Sequence, residues 1–239
     1  MIRTIVFFSI FWASLLLAAP LSLPFILAEA LGFKRLPRSV LGWLTSFWCR
    51  VILKATGTKL IVEGVEHIPR TEPVVFYPNH QGDLDILLAV AVIPRQLGFI
   101  AKKQAAWLPF LNLWMLAMGC VFIDRGNISQ GIKAIAKGTQ RVRDGRAMCV
   151  FPEGTRSRGP QMLPFRNGAF RLAVRAEAAI VPVTIDGAYK VWEEHHQIRP
   201  ALVRVVIHKP IQTAGLSPEE RKALPEKVRA AIASALPVD

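Results

Sequence analysis

His80 and Asp85 are the first residues in this chain whose types and spacing suit chemistry, separated as His-x4-Asp in Asn79-His80-Gln81-Gly82-Asp83-Leu84-Asp85. His80 ends an apolar run and precedes a helical pattern. A turn between the two residues brings the carboxylate back to the imidazole. A carboxylate on one ring nitrogen fixes the tautomer and leaves the other nitrogen basic, which makes a general-base dyad. Taken alone, this spacing does not separate catalysis from capping and packing. The second cluster is Pro152-Glu153-Gly154-Thr155-Arg156, after another apolar run. Gly154 permits a tight turn with free backbone N–H groups, and Arg156 can hold a phosphate through two parallel hydrogen bonds. Arg125 and either Lys102 or Lys103 follow further apolar runs and can reach the same rim, as a phosphate monoester would require. A surface turn with solvated arginines remains the alternative for this cluster.

Other common chemistries are missing. The sequence has no Gly-x-Ser-x-Gly elbow, no Gly-x4-Gly-Lys-Ser/Thr loop, no Gly-x-Gly-x-x-Gly and no His-Glu-x-x-His. Glu193-Glu194-His195-His196 offers metal-ligand types, but consecutive residues rarely converge on one ion, so the stretch reads as a solvated loop and no metal site is expected. Cys49, Cys120 and Cys149 lie in apolar settings and read as small buried hydrophobes. A base without an enzyme nucleophile points to a substrate that brings its own, such as a hydroxyl.

The elements that must position these residues show in the hydrophobic pattern. Short β-rich runs at 58–63, 73–78, 97–101, 120–123, 147–151, 180–185 and 202–208 alternate with helical patterns at 83–93, 105–118, 128–143, 166–177 and 218–235. That alternation predicts an α/β fold, a central mostly parallel sheet flanked by helices on both faces. In such sheets ligands bind beyond the carboxyl ends of the strands, where both clusters fall. Lys133, Lys137 and Arg141 form a stripe on the 128–143 helix and read as a solvated face.

Residues 1–57 differ in texture. Thr4 to Ala28 carry no charge, and Pro20 and Pro24 predict a kinked or re-entrant helix. The run is long for a secretory leader. Lys34, Arg35 and Arg38 follow it and favour a cytoplasmic position for the rest of the chain. Residues 39–54 space Trp43, Phe47, Trp48 and Val51 as an interfacial helix would. The expected organisation is therefore an anchoring segment, 1–57, and a folded domain, 58–239.

Composition agrees with this division. The chain has 239 residues, 52% of them hydrophobic, yet a formal net charge of +13. High charge without low hydrophobicity excludes disorder for most of the chain. A single long uncharged run excludes a polytopic membrane protein. Residues 125–175 hold eleven Lys or Arg against Asp144 and Glu153, a net +9. Anionic partners are expected, either an anionic bilayer or a phosphorylated substrate.

Together the clusters resemble the lysophosphatidic acid acyltransferase family, the 1-acylglycerol-3-phosphate O-acyltransferases. Asn79-His80-x4-Asp85 looks like the first of four ordered motifs, and Gly119-Cys120-Val121-Phe122-Ile123-Asp124-Arg125 like the second. Val150-Phe151-Pro152-Glu153-Gly154-Thr155-Arg156-Ser157 is a close match to the third, and Ile180-Val181-Pro182-Val183 looks like the fourth. Many relatives have Ser where this chain has Gly82, and the fourth motif continues without a second proline. The resemblance covers roughly residues 58–210. It implies a glycerolipid acyltransferase-like fold and acyl transfer from an acyl thioester to the sn-2 hydroxyl of 1-acyl-glycerol 3-phosphate, giving phosphatidic acid. His80 would take the hydroxyl proton and Asp85 would orient it. Arg125, Glu153, Gly154, Thr155, Arg156 and Lys102 would hold the glycerol phosphate. The expected partners are lysophosphatidic acid, acyl-CoA or acyl-carrier protein, and anionic membrane lipids; no cofactor and no nucleic acid are expected. The expected location is the cytoplasmic face of a membrane, the inner membrane in a bacterium. The same motifs suit other acceptors, namely glycerol 3-phosphate, another lysophospholipid or a lyso-ornithine lipid. A non-catalytic binder of anionic lipid is the further alternative, and it leaves His80 and Asp85 unexplained.

Overall fold

In the computed structural model of the chain, which describes residues 1–33, 35–124 and 126–237, seven strands form one sheet. They are β1 (Lys59–Glu63), β2 (Val74–Pro78), β3 (Leu97–Lys102), β4 (Val121–Ile123), β5 (Ala147–Cys149), β6 (Ala179–Asp186) and β7 (Leu202–Ile207). Each matches an expected run. The order across the sheet is β1-β7-β6-β2-β5-β3-β4, and every neighbouring pair is parallel except β6 and β7. β2 lies at the centre, and all five of its residues are buried. A parallel strand covered on both faces reads as a continuous apolar run, as Val74-Val75-Phe76-Tyr77-Pro78 does.

The described residues also form seven α-helices: α1 (Ile2–Ala30), α2 (Arg35–Thr56), α3 (Leu84–Val92), α4 (Leu111–Ala117), α5 (Ile128–Arg143), α6 (Asn167–Ala176) and α7 (Pro218–Ala233). Local chemistry sets several of their ends. Asn127 caps α5 by accepting the Gln130 N–H at 3.0 Å, and Ser217 with Glu220 forms a capping box before Pro218 on α7. The expected 105–118 helix is two pieces, a 3₁₀ turn over Lys103–Trp107 and then α4. Pro109 and the left-handed Phe110 (φ 62°) separate them, because proline removes a donor and restricts the residue before it.

α2 and α3 pack into the core on one sheet face, with Phe25, Trp114 and Met115 of α1 and α4 against it. α5, α6 and α7 cover the other face. β2 and β5 are neighbours whose following helices, α3 and α6, leave to opposite faces. A crevice therefore opens at their carboxyl ends.

α1 contains Pro20 and Pro24 and is apolar and long enough to cross a membrane. It nevertheless lies against the sheet domain and is tied to it at both ends. Near its start, Thr4 Oγ1 accepts the Ile198 N–H at 2.9 Å, and Phe8 meets Trp192 edge-on at 5.1 Å. At its end, Glu29 takes ion pairs from Arg146 (2.8 Å), Arg141 (3.1 Å) and Arg38 (3.2 Å). Arg146 is only 2% exposed, so this pairing answers a charge that would otherwise be buried alone. Arg141 thus leaves the solvated face expected of its stripe and holds an N-terminal helix instead. Lys34 lies outside the described residues. The outward surfaces of α1 and α2 expose Leu16, Leu17, Leu27, Trp43, Phe47 and Val51. This many large exposed apolar side chains on two helices mark a lipid or protein contact.

Candidate active site

His80 stands just beyond β2, two residues after its last member, in the central crevice. Its Nδ1 lies 2.8 Å from Asp85 Oδ2. Asp85 occupies the first turn of α3 and is fully buried, and the same oxygen accepts the Gly82 N–H at 2.8 Å. An ionised carboxylate only accepts, so Nδ1 carries the proton and Nε2 is left basic. Burial pushes the Asp85 carboxyl pKa upward, while the bonds from His80 and Gly82 pull it back. The His80 ring stacks on Phe151 with centroids 3.9 Å apart and planes 22° from parallel. Carboxylate and phenyl ring together fix the imidazole's tautomer, its plane and the direction of Nε2.

The surrounding motifs serve chiefly as a frame for this dyad. The Asn79 side chain donates to the Ile185 carbonyl at 2.8 Å and accepts the Ile185 N–H at 2.7 Å, joining the strand end to β6. Gln81 accepts the Ala188 N–H at 3.0 Å. Ser157 and Arg158 donate backbone N–H groups to the carbonyls of His80 and Gln81, at 2.8 and 3.1 Å. Ile180-Val181-Pro182-Val183 is the middle of β6, paired with β2 and buried, so it too supports the strand that carries His80.

Glu153 differs from its expected part as a phosphate ligand. It is 3% exposed, and its two oxygens accept backbone N–H groups from His80 at 2.7 Å and Leu163 at 2.9 Å. Burial raises its pKa, and those two bonds oppose the rise. A carboxylate engaged in this way fixes the loop and does not face a phosphate. Gly154 has φ +72°, and its own N–H turns back to the Phe151 carbonyl at 3.1 Å, so it offers no free donor. A side chain there would overlap Arg166, which lies across the turn.

Sequence reading missed Glu193, placed in a solvated loop. It is 9% exposed, and its carboxylate accepts the Asp83 N–H at 2.6 Å. A Cβ at residue 82 would overlap that carboxylate where it lies, so glycine lets Glu193 approach the turn. The only sequence signal was Gly82 itself. Burial raises the Glu193 pKa as well.

Arg156 faces the crevice mouth and pairs with Asp83; their side chains are 31% and 61% exposed. A pair this exposed holds weakly, at roughly 0–1 kcal/mol, so an incoming phosphate can displace Asp83. Thr155 and Lys102 are exposed at the same mouth. Arg125 lies outside the described residues; Asp124 before it pairs with Lys103. Arg156→Ala should raise the KM for a phosphate-bearing acceptor about 10–100-fold, the worth of a hydrogen bond between charged groups, and change kcat much less. Initial rates over a range of acceptor concentrations measure this; an unchanged acceptor KM removes Arg156 from the phosphate site.

A cavity of about 480 Å³ opens beside His80. Its walls are apolar and come from five helices or turns: Leu15, Ala18 and Leu21 of α1, Leu44 and Trp48 of α2, Leu87 and Val90 of α3, Ala105, and Trp114 and Met118. Cys49 and Cys120 also line it, and burial pushes both thiols up to about 12, so they stay protonated and inert at neutral pH. The arrangement joins a general base, a cationic mouth and a long apolar chamber in one place. It suits proton removal from a hydroxyl in a molecule that also carries an alkyl chain.

The model of a protein family described as Acyltransferase matches residues 59–186, more than half the chain. Among individual proteins, the 1-acyl-sn-glycerol-3-phosphate acyltransferase alpha of Mus musculus is 35% identical over 177 residues, covering 72% of this chain and 62% of that one. The chain therefore spans about three fifths of that relative's length. A 1-acyl-sn-glycerol-3-phosphate acyltransferase of Chlamydomonas reinhardtii is 31% identical over 243 residues, covering 99% of this chain and 70% of its own. One from Borreliella burgdorferi is 29% identical over 181 residues, covering 75% and 72%. Among solved structures, the 1-acyl-sn-glycerophosphate acyltransferase PlsC of Thermotoga maritima superposes with a TM-score of 0.79 at 24% identity, over 100% of this chain and 99% of that one. It shares the fold.

Proposed function

The chain belongs to the acyltransferase family, and from that premise we propose that it acylates the sn-2 hydroxyl of 1-acyl-glycerol 3-phosphate, using an acyl thioester and giving phosphatidic acid. The observation that carries this reading is the His80–Asp85 pair at 2.8 Å, set at the mouth of an apolar cavity beside Arg156. The acceptor hydroxyl donates to His80 Nε2, and its phosphate takes Arg156 from Asp83, with Lys102 and Thr155 alongside. His80 removes the hydroxyl proton as the oxygen attacks the thioester carbonyl. The resulting imidazolium faces the Asp85 carboxylate, which stabilises it. Collapse of the tetrahedral adduct breaks the C–S bond, and the imidazolium returns its proton to the leaving sulfur. The products are an ester and a free thiol, and no acyl group is held by the protein. The cavity takes an alkyl chain, and its apolar lining keeps water, the competing nucleophile, from the thioester.

On the same reading, residues 1–57 anchor the protein to a membrane. Because α1 is tied to the sheet domain at both ends, it lies along one leaflet and presents Leu16, Leu17 and Leu27 to the acyl region. The basic charge of residues 125–175 favours the anionic cytoplasmic leaflet. The acyl donor is acyl-CoA or acyl-carrier protein.

The test is a panel of acceptors given to the purified full chain with a long-chain acyl thioester, products being identified by mass. Lysophosphatidic acid should be consumed fastest and phosphatidic acid should appear. Preference for glycerol 3-phosphate, for another lysophospholipid or for a lyso-ornithine lipid would overturn the acceptor assignment.

A further inference from the structure

A second cleft, of about 270 Å³, runs between α5 and α6 on the far side of Phe151. Phe151 and Ile100 wall both it and the apolar cavity, so the two spaces adjoin across the ring that stacks on His80. Three arginines line the cleft: Arg166, Arg171 and Arg175, all exposed. None of the three has a carboxylate partner among the described residues. The acid in the cleft, Asp124, is already paired with Lys103. Arg171 and Arg175 stand four residues apart on α6, a spacing that sets like charges side by side and costs stability. Arg143 adds more positive charge by bonding the Arg175 carbonyl at 2.6 Å. Uncompensated charge lining a concave surface is an arrangement that a polyanion relieves.

Resting on the reading proposed above, we infer that this cleft binds the phosphate groups of the acyl donor's phosphopantetheine arm. Distance separates the two substrates. The acceptor's phosphate is attached within three carbons of the reacting hydroxyl, so it must stay near His80, where Arg156 is. The donor's phosphate lies at the end of a pantetheine chain about as long as four or five extended residues, roughly 15 Å. With the acyl chain in the apolar cavity and the thioester at His80, that arm must leave across the strand rim. Arg171 and Arg175 lie about 6 and 12 Å along α6 from Asn167, at its rim end, at 1.5 Å per residue. The close approach of Arg166 to Gly154 joins the third motif to this cleft.

The experiment compares the full chain with Arg171→Gln/Arg175→Gln, using acyl-CoA, acyl-carrier protein and acyl-pantetheine, which lacks the phosphate. Both arginines are exposed, and thermal melting checks that the variant folds. The KM for a phosphate-bearing donor should rise about tenfold, while the acceptor KM stays unchanged and acyl-pantetheine is used equally well by both proteins. A rise with acyl-CoA, with acyl-carrier protein or with both supports the assignment and identifies the source of the phosphate. An unchanged donor KM overturns it, as does a raised lysophosphatidic acid KM or an equal loss with acyl-pantetheine. Weaker binding to anionic vesicles with unchanged KM values also overturns it and assigns the cleft to lipid headgroups. If wild type turns over no donor at all, the parent reading fails; coenzyme A binding to the two proteins, measured alone, then still decides the cleft.

Discussion

Replacing His80 by alanine should lower kcat and kcat/KM together by about 10³-fold or more, within and somewhat beyond the usual range for general-base catalysis. Nε2 of His80 has no hydrogen-bond partner among the described residues, while Nδ1 is held by Asp85, so no neighbouring group can take over the proton. The substrate should still bind, because its phosphate and chain are held elsewhere, and its KM should move little. The substitution also leaves the buried Asp85 carboxylate without its imidazole partner, held by the backbone N–H groups of Gly82 and Gln81. Losing one partner of a buried charge costs about 3–5 kcal/mol, so the variant should melt several degrees lower yet remain folded. Initial rates together with thermal melting separate the two effects. A folded variant with near-wild-type turnover would remove His80 from the chemistry.

Asp85→Asn tests the orientation of that base. The amide has the carboxylate's shape. Its oxygen can keep the Gly82 N–H, and its NH₂ then donates to His80 Nδ1. That bond places the imidazole proton on Nε2, where a base needs a lone pair. The comparable exchange in a Ser-His-Asp triad costs about 10⁴-fold in kcat, and a loss on that scale is expected here with little change in KM. Stability should move the other way. Burial holds the Asp85 pKa above its ordinary value, so the folded state takes up this proton at a higher pH than the unfolded chain does, while the carboxylate stays ionised when the dyad works. Its contribution is fully present below the unfolded pKa and is lost as pH rises through the folded one. The neutral asparagine escapes that loss. At neutral pH the variant should therefore melt no lower than wild type, and wild type should gain on it as the solution is acidified. An inactive variant that melts well below wild type at neutral pH would make Asp85 a fold residue instead of an orienting one.

How much of this was legible in the sequence depends on the reach of each interaction. The strands were legible because buried parallel strands are unbroken apolar runs, as Val74–Pro78 and Ala179–Asp186 show. His80 and Asp85 were legible because only four residues and one turn separate them. Partners far apart in the chain left no such trace. Glu193 reaches the His80 turn from 110 residues beyond Asp83, and sequence offered only the missing side chain at Gly82. Glu153 has the residue type of a polar ligand, yet its acceptors are spent on a backbone N–H 73 residues upstream and on Leu163. Arg141 reads as part of a solvated face because Glu29, its partner, lies more than 110 residues before it. The α5–α6 cleft combines residues from two helices and a loop, and none of its arginines stands in a motif.

The central claim is a direct transfer from thioester to acceptor hydroxyl, with His80 as the base. One measurement tests it most directly: free thiol released and phosphatidic acid formed, followed in the same tube with and without lysophosphatidic acid. Direct transfer gives one thiol for each phosphatidic acid and thiol release that depends on the acceptor. Thiol released without acceptor, in step with acyl groups covalently held by the protein, would contradict it.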